Sequence, residues 1–530
     1  MIRRLFFAFA VVAPTVVLLL ATVAPGVLWA LVVIAPVVAL GLHDVIQTKH
    51  SLLRVYPVIG HGRYIMEELR PEIQQYFVES NIDGTPYSRE FRSVIYQRAK
   101  GARDTVPFGT QLDVERVGYE WMTHSLSPLS VPEVAPRILV GGPECKLPYS
   151  ASYLNISAMS YGSLSKTAIL SLNKGASLGG FAHNTGEGSA SPYHLEHGGD
   201  LIWQIGTGYF GCRSLEGEFD PAAFADRAGL DSIKMIEIKL SQGAKPGHGG
   251  ILPAAKLTRE IAEMRGVPLG RDVLSPPAHS VFDNPIGLLE FVARLRELSG
   301  GKPVGFKLCV GHRSEFLGIC KAMIKTGITP DFITVDGAEG GTGAAPVELT
   351  NSVGMPMRDG LLFVNSALRG VGLRDQIRVI AAGKIATGFH IVRAIALGAD
   401  MCNAARAMMF SLGCIQARRC NSNDCPVGVA TQDPARYQAL VVSDKAPRVH
   451  RYHEDTIHAF LELIASSGLA SPESITPHHV LRRNSALEIK TFAEAYEYLP
   501  RGCLLDEGSV PAEWRARWKY ARAEQFSTAL

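Results

Sequence analysis

Cysteine is scarce in this chain: there are nine in 530 residues, an odd number. Such usage excludes a disulfide-built scaffold and fits a reducing compartment. Net charge is scarce as well, at a formal +3. No basic stripe accompanies a recognisable reading module, so nucleic acid is not an expected partner. No repeat period appears, and no G-x-G-x-x-G opens a helix after a strand with an acidic residue downstream, so a dinucleotide-binding domain is not expected either.

Between Leu5 and Leu42 charged side chains are missing altogether. A membrane span needs about 20 apolar residues. Leu5 to Val23 suffices, and Val27 to Leu42 is on the short side, so the first expectation is a transmembrane hairpin over residues 1–43 turning at Pro25-Gly26. Arg3 and Arg4 precede it and Lys49 and Arg54 follow it. A hairpin puts both basic flanks on one side, which the positive-inside rule makes the cytoplasm. The expected location is therefore the cell membrane, multi-pass, with a cytoplasmic catalytic domain. A signal peptide and a single tilted helix with a re-entrant tail are the competing readings, but the run is too long for a signal h-region.

What is present is 47% hydrophobic and 19% charged, ordinary for a globular protein with a membrane piece. Residues 44–150 read as a linker or helical pre-domain, where Tyr64 to Phe77 carries apolar residues at helical spacing and Pro71 kinks or ends the first turns. From Leu154 the pattern strand, polar loop, helix repeats. Candidate strands are Tyr153–Ala158, Phe181–Asn184, Leu201–Ile205, Ile233–Ile238, Val304–Val310, Phe332–Val335, Arg378–Ala382 and Met401–Ala404. This predicts an α/β fold, a (β/α)8 barrel over residues 151–482 with its active site at the C-terminal strand ends. The words SAMSYGS, NTGEG, QIGTGYFG, QGAKPGHGG, KLCVG, VDGAEGGTGA and AAGK all fall there. A helix is expected from Tyr452 to Ser467, and residues 483–530 form a tail packing on the barrel.

Cys414, Cys420 and Cys425 form a C-x5-C-x4-C array closed by Pro426, and no histidine lies between Cys414 and Gln432 to complete a zinc tetrahedron. A thiolate-held iron–sulfur cluster lacking one cysteine, a 3Fe-4S centre, fits the spacing, and so do three unconnected buried cysteines. Lys307, inside the apolar VGFKLCV, is expensive to bury without an anion unless it snorkels.

CNSNDCPVGVATQ, preceded by GTGAAP at Gly341 to Pro346 and by QGAKPGHGG at Gln242 to Gly250, resembles the FMN-binding synthase domain of glutamate synthases, over about Leu154 to Arg482. The resemblance implies that Cys414, Cys420 and Cys425 hold the 3Fe-4S cluster. It implies an FMN phosphate on Gly340, Gly341, Thr342, Gly343, Gly383 and Lys384, with Lys307 beside the reduced flavin and Gln204, Ser160 and Tyr161 near its ring. Lys245 in GAKPG and Arg265 in EMRGVP would take the carboxylates of a 2-oxo dicarboxylic acid. Glu187 in NTGEG either shuttles a proton to the imine nitrogen or caps the next helix.

One departure stands out: the family's P-G-E-G-G-Q is here Pro246-Gly247-His248-Gly249-Gly250-Ile251, so a glutamine that helps hold 2-oxoglutarate is an isoleucine. The family's amidotransferase domain, C-terminal β-helix and pyridine-nucleotide module are not recognised. The expected activity is a membrane-anchored oxidoreductase acting on CH-NH2 donors, making glutamate from 2-oxoglutarate. Alternatives are an N-substituted glutamate synthase using an amine, and a non-catalytic flavin and iron–sulfur electron-transfer subunit. Expected partners are 2-oxoglutarate or a related 2-oxo acid, separate proteins that hydrolyse glutamine for ammonia and deliver electrons, and the membrane.

Overall fold

The computed structural model describes residues 2–526. The chain divides into two compact units, Met1–Arg89 and Glu90–Leu530.

In the first unit, helix Ile2–Ala21 is followed by a 3-10 turn, Pro25–Ala30, and helix Leu31–Ile46. The stretches Ile2–Ala21 (20 residues) and Pro25–Ile46 (22 residues) are long and apolar enough to cross a membrane. Their chemistry is turned outward, with Leu19 65% and Val33 68% exposed. The two helices meet where Gly41 leaves room for the Phe6 ring; any Cβ there would clash with it. At the end of the second helix, Asp44 is buried and accepts from the Val58 amide at 2.8 Å and faces His61 Nε2 at 2.8 Å. After a short helix, Ser51–Val55, helix His61–Ile73 contains Pro71 without ending there and runs into a π turn, Gln74–Val78.

The second unit is built on a closed barrel of eight parallel strands: β1 Leu154–Ile156, β2 His183–Asn184, β3 Leu201–Ile205, β4 Ile233–Lys239, β5 Val304–Cys309, β6 Phe332–Asp336, β7 Arg378–Ala382 and β8 Met401–Ala404. Each pairs with the next, and β8 closes on β1 through Asn403 opposite Asn155. All eight fall inside or within a residue of the expected runs. Helices such as Lys166–Gly179, Pro285–Leu298 and Met357–Gly370 cover the outside, burying Leu172, Leu289, Val292 and Leu361 completely. Each such side chain contributes about 1.5–3 kcal/mol.

The helix expected from Tyr452 begins ten residues earlier, at Val442, and runs through Pro447 to Ser466. A proline inside a helix removes one hydrogen bond. Here the loss is offset by packing, since Ala446 and Val449 are buried against Gly175 of helix Lys166–Gly179. A small antiparallel sheet joins Glu120–Met122, Val480–Arg483 and Ile489–Thr491. It is pinned to the barrel helices because Glu120 is shared by Arg358 and Arg482 at 2.6 Å and Arg393 at 3.2 Å. Farther on, Trp514 stacks on Phe363 with ring centroids 5.3 Å apart.

One connection does more than cover the barrel. Between β4 and β5 the chain makes a two-stranded excursion, Ile251–Leu252 with Val273–Leu274, and carries helix Arg259–Arg265. It brings Lys245, Ile251, Lys256 and Arg265 to the C-terminal end of the strands.

Candidate active site

Along β4 the side chains alternate, so Glu237 lies two residues before Lys239 on the same face. Glu237 is buried inside the barrel and ties three strands together. Its Oε1 accepts from Asn184 Nδ2 at 2.8 Å and Gln204 Nε2 at 2.7 Å, and its Oε2 accepts from Thr334 Oγ1 at 2.6 Å. A carboxylate offers only lone pairs, so the Gln204 amide has its NH2 turned to Glu237. Lys307, on β5, is buried 3.2 Å from Asp336 of β6. Burial opposes its charge, yet Asp336 and Glu237 outweigh that and raise its pKa. The anion that a buried lysine requires is therefore present, and Lys307 does not snorkel.

Replacing Glu237 by Leu is expected to cost about 3–5 kcal/mol, because three buried donors lose their acceptor. Urea unfolding should show a lower midpoint with an unchanged slope, and Glu237→Gln should cost less.

At the mouth, Glu187 follows β2 and meets Lys239 Nζ at 2.8 Å. Burial opposes its ionisation, but Lys239, then Arg265 and Lys245, hold its pKa below the ordinary carboxylate value. Arg265 ends a helix capped at its start by Thr258, whose Oγ1 accepts from the Ile261 amide, and stopped by Gly266 in the left-handed region at φ 60°. Its Nη2 donates to the Tyr161 carbonyl at 3.0 Å and its guanidinium lies 5.0 Å over the Phe210 ring, while Nε is buried with no partner. Burial brings its pKa down to about 10. Lys245 donates to the Ala344 carbonyl at 3.0 Å. Burial pushes its pKa down to about 8, only partly offset by Glu187. Gly250 abuts the Glu187 carboxylate, so a Cβ at that position would make the carboxylate shift.

Lys239, Lys245 and Arg265 thus surround one carboxylate and leave an excess of two positive charges. Such an excess of positive charge attracts anions. Ser160 is buried and donates to Ser163 Oγ at 3.2 Å. The Tyr161 hydroxyl is committed to Glu260 at 2.8 Å, so its carbonyl is what joins the cation cluster.

The loops after β6 and β7, with Arg406 just after β8, form a second cationic corner. Gly341 packs so closely on Arg406 that a Cβ would stand 2.9 Å from Nε, and Gly383 is as close to Met357. Lys384 takes a positive φ of 50°. Its pKa is lowered by burial and then by Arg406, a repulsion that Glu339 only partly relieves. Gly340 turns on a hydrogen bond to the Gly337 carbonyl at 2.7 Å, Thr342 is exposed, and Gly343 faces the Cys420 carbonyl.

Cys414, Cys420 and Cys425 are all free thiols on a loop that bends through positive φ at Gln416, Arg418 and Asn423. Burial pushes the Cys414 thiol up to about 12, and Cys420 and Cys425 add to the rise. The three therefore feel one another. Among the described residues, however, no three His, Cys, Asp or Glu groups converge as a ready metal site. Lys256 reaches this loop, donating to the carbonyls of Ser163 and, at 3.1 Å, Cys420.

The conserved region of glutamate synthase matches residues 145–470. The chain belongs to the glutamate synthase family. It is 39% identical over 483 residues to the glutamate synthase large subunit-like protein YerD of Bacillus subtilis (strain 168), covering 83% of this chain and 91% of that one. It is 34% identical to the archaeal-type glutamate synthase (NADPH) of Thermotoga sp. (strain RQ2), covering 67% of this chain and 65% of that one. Against the glutamate synthase (NADPH) large chain of Bacillus subtilis (strain 168) it is 35% identical and spans 18% of that protein. The glutamate synthase-like chain is an oxidoreductase.

Four site residues of this glutamate synthase relative escaped the sequence reading: Glu237, Lys239, Lys256 and Arg406. For the first two a signal existed, because IEIKL puts a carboxylate and an ammonium on the inward face of an otherwise apolar strand. Nothing in the words around Lys256 and Arg406 announces a role, and only the packing shows the first buried and the second beside a bare loop.

Proposed function

We propose that the chain reductively aminates 2-oxoglutarate, or a 2-oxo dicarboxylic acid close to it, with FMN and a 3Fe-4S cluster. The observation that carries this is the buried excess of two positive charges around Glu187, including an Arg265 Nε with no partner. A dicarboxylate supplies both the charge and the acceptor.

The residues suit both cofactors. Lys384 and Arg406, two cations beside bare backbone at Gly341 and Gly383, make a cradle for the FMN phosphate. Gln204 and Lys307 would face its ring. Three free thiols on one loop, with a buried ammonium against it, match the donor chemistry of a three-thiolate cluster. When bound, the cluster passes single electrons and FMN delivers a hydride to the imino carbon.

The rest is done by the chain. Lys245 and Arg265 bind and orient the two carboxylates. Glu187, held ionised by Lys239, is an acceptor that steadies a cationic iminium nitrogen, which alters the sequence expectation of a carboxyl delivering the proton. The acid is Lys245, whose pKa of about 8 leaves it protonated near neutrality, able to pass a proton to the imine nitrogen and to take one back from solvent once the product leaves. Affinity for 2-oxoglutarate in the free enzyme is expected to hold below pH 8 and to fall as pH rises through that value, because deprotonation of Lys245 removes one of the cations. Equilibrium titration at pH 6.5, 8 and 9.5 checks this; a flat profile would show that Lys245 is not a carboxylate ligand.

A second reading, an N-substituted product from an amine donor, is favoured by Ile251. This half-buried apolar side chain follows Gly250, which abuts Glu187. Ile251→Gln should tighten 2-oxoglutarate by about 1 kcal/mol if that acid is the substrate. If the true substrate sets an apolar group there, the same change should weaken that substrate's binding.

The two apolar helices are taken to anchor the protein in a membrane, with Arg3, Arg4, Lys49 and Arg54 on the cytoplasmic side. The deciding experiment is anaerobic reduction followed by stopped-flow reoxidation with 2-oxoglutarate plus ammonia or methylamine. Reoxidation by neither, nor by any other 2-oxo acid, would leave an electron-transfer subunit as the function.

A further inference from the structure

Lys256 is an anomaly among the buried cations. Its side chain is 1% exposed, and its ammonium makes two hydrogen bonds, both to carbonyls, those of Ser163 and Cys420. Among the described residues it forms no ion pair, whereas Lys239 has Glu187, Arg296 has Asp331 and Lys307 has Asp336. The ionisable groups whose fields reach it are Cys420, Cys425 and a second cation, Arg265. A buried ammonium without a counter-ion is costly, and two carbonyl dipoles do not replace an anion. The missing negative charge belongs beside Cys420 and Cys425. A three-thiolate iron–sulfur centre is an anion and would stand there.

We propose that Lys256 is the counter-charge of that centre and raises its reduction potential. The inference rests on the cluster reading given above. Uptake of one electron from an external one-electron donor adds one negative charge to the centre and changes no bond in the chain. A fixed cation nearby favours that reduced state. The same ammonium grips the Ser163 carbonyl in the loop after β1, so it also sets where the cysteine loop lies against the barrel mouth. Lys256 is thus a positioning and tuning residue, with no contact to the substrate cluster required of it.

The test uses the full-length protein in detergent, prepared without air, with iron and flavin quantified and the cluster midpoint followed by EPR during titration with dithionite. Lys256→Met and Lys256→Gln should lower the equilibrium constant for one-electron uptake on the order of tenfold, about 59 mV for a one-electron couple. Lys256→Arg should stay near wild type. Neutral variants that load wild-type iron with an unmoved midpoint would overturn the proposal. If the neutral variants lose iron, Lys256→Arg decides: iron retained there supports a need for charge, and iron lost there shows that only the lysine's shape matters. Iron-free wild-type protein would sink the cluster reading itself, a result distinct from all of these.

Discussion

Arg265→Met is expected to weaken 2-oxoglutarate binding by about 2–4 kcal/mol, the worth of a buried charge-assisted contact. That is roughly 30- to 1,000-fold in Kd. The size follows from where the guanidinium sits: it is buried, clamped to the Tyr161 carbonyl at 3.0 Å and laid on the Phe210 ring, so little ordering is left to be done when a carboxylate arrives. Methionine keeps the packing length and drops the charge, leaving Glu187 with Lys239 and Lys245. A monocarboxylate such as pyruvate should be affected much less, if Arg265 holds the distal carboxylate. Calorimetric titration of both acids against wild type and variant checks the prediction; an unchanged Kd for 2-oxoglutarate would remove Arg265 from the pocket.

Cys420→Ser should abolish the cluster, taking iron from about three per chain to background while FMN stays bound. Loss of a ligand must cost at least what loss of its supporting contacts does, so turnover driven by a one-electron donor should fall on the order of 100-fold or more. Cys420 lies beyond helix Arg406–Ser411 on the segment after β8, whereas Lys384 lies after β7, so flavin retained without iron shows that the phosphate corner stands without the cluster. Iron analysis, the flavin spectrum and anaerobic turnover on the same preparation are the measurements. Full iron content in the serine variant would mean that the metal, if any, is held elsewhere.

The barrel was legible because each strand is a short apolar run followed by a polar, glycine-rich word, a pattern that depends only on local sequence. The long helix from Val442 was half legible: Pro447 argues locally for a stop, and only burial of Ala446 and Val449 carries the helix through it. Site residues divide the same way. Lys245, Arg265 and Glu187 are found through words shared with the family, and the structure brings their charges into one field. Glu237 lay in plain sight inside β4, but its role depends on donors from β2, β3 and β6, which no single segment announces. Lys256 depends on the contact between two loops far apart in sequence.

The excursion between β4 and β5 gives the protein a cassette. The barrel strands hold a fixed charged core, with Lys307 paired to Asp336 between β5 and β6 and held charged by Glu237 of β4 as well. The excursion holds Lys245, Ile251 and Arg265, the residues proposed to read the acid, together with the Lys256 grip on the cysteine loop. It leaves the barrel at Lys239 and returns at Val304. If that pocket is the substrate site, its preference is open to exchange through the part of the excursion that precedes helix Pro285–Leu298, whose buried Leu289 and Val292 belong to the barrel's packing. A graft carries the Lys256 contact to the cysteine loop along with the new pocket.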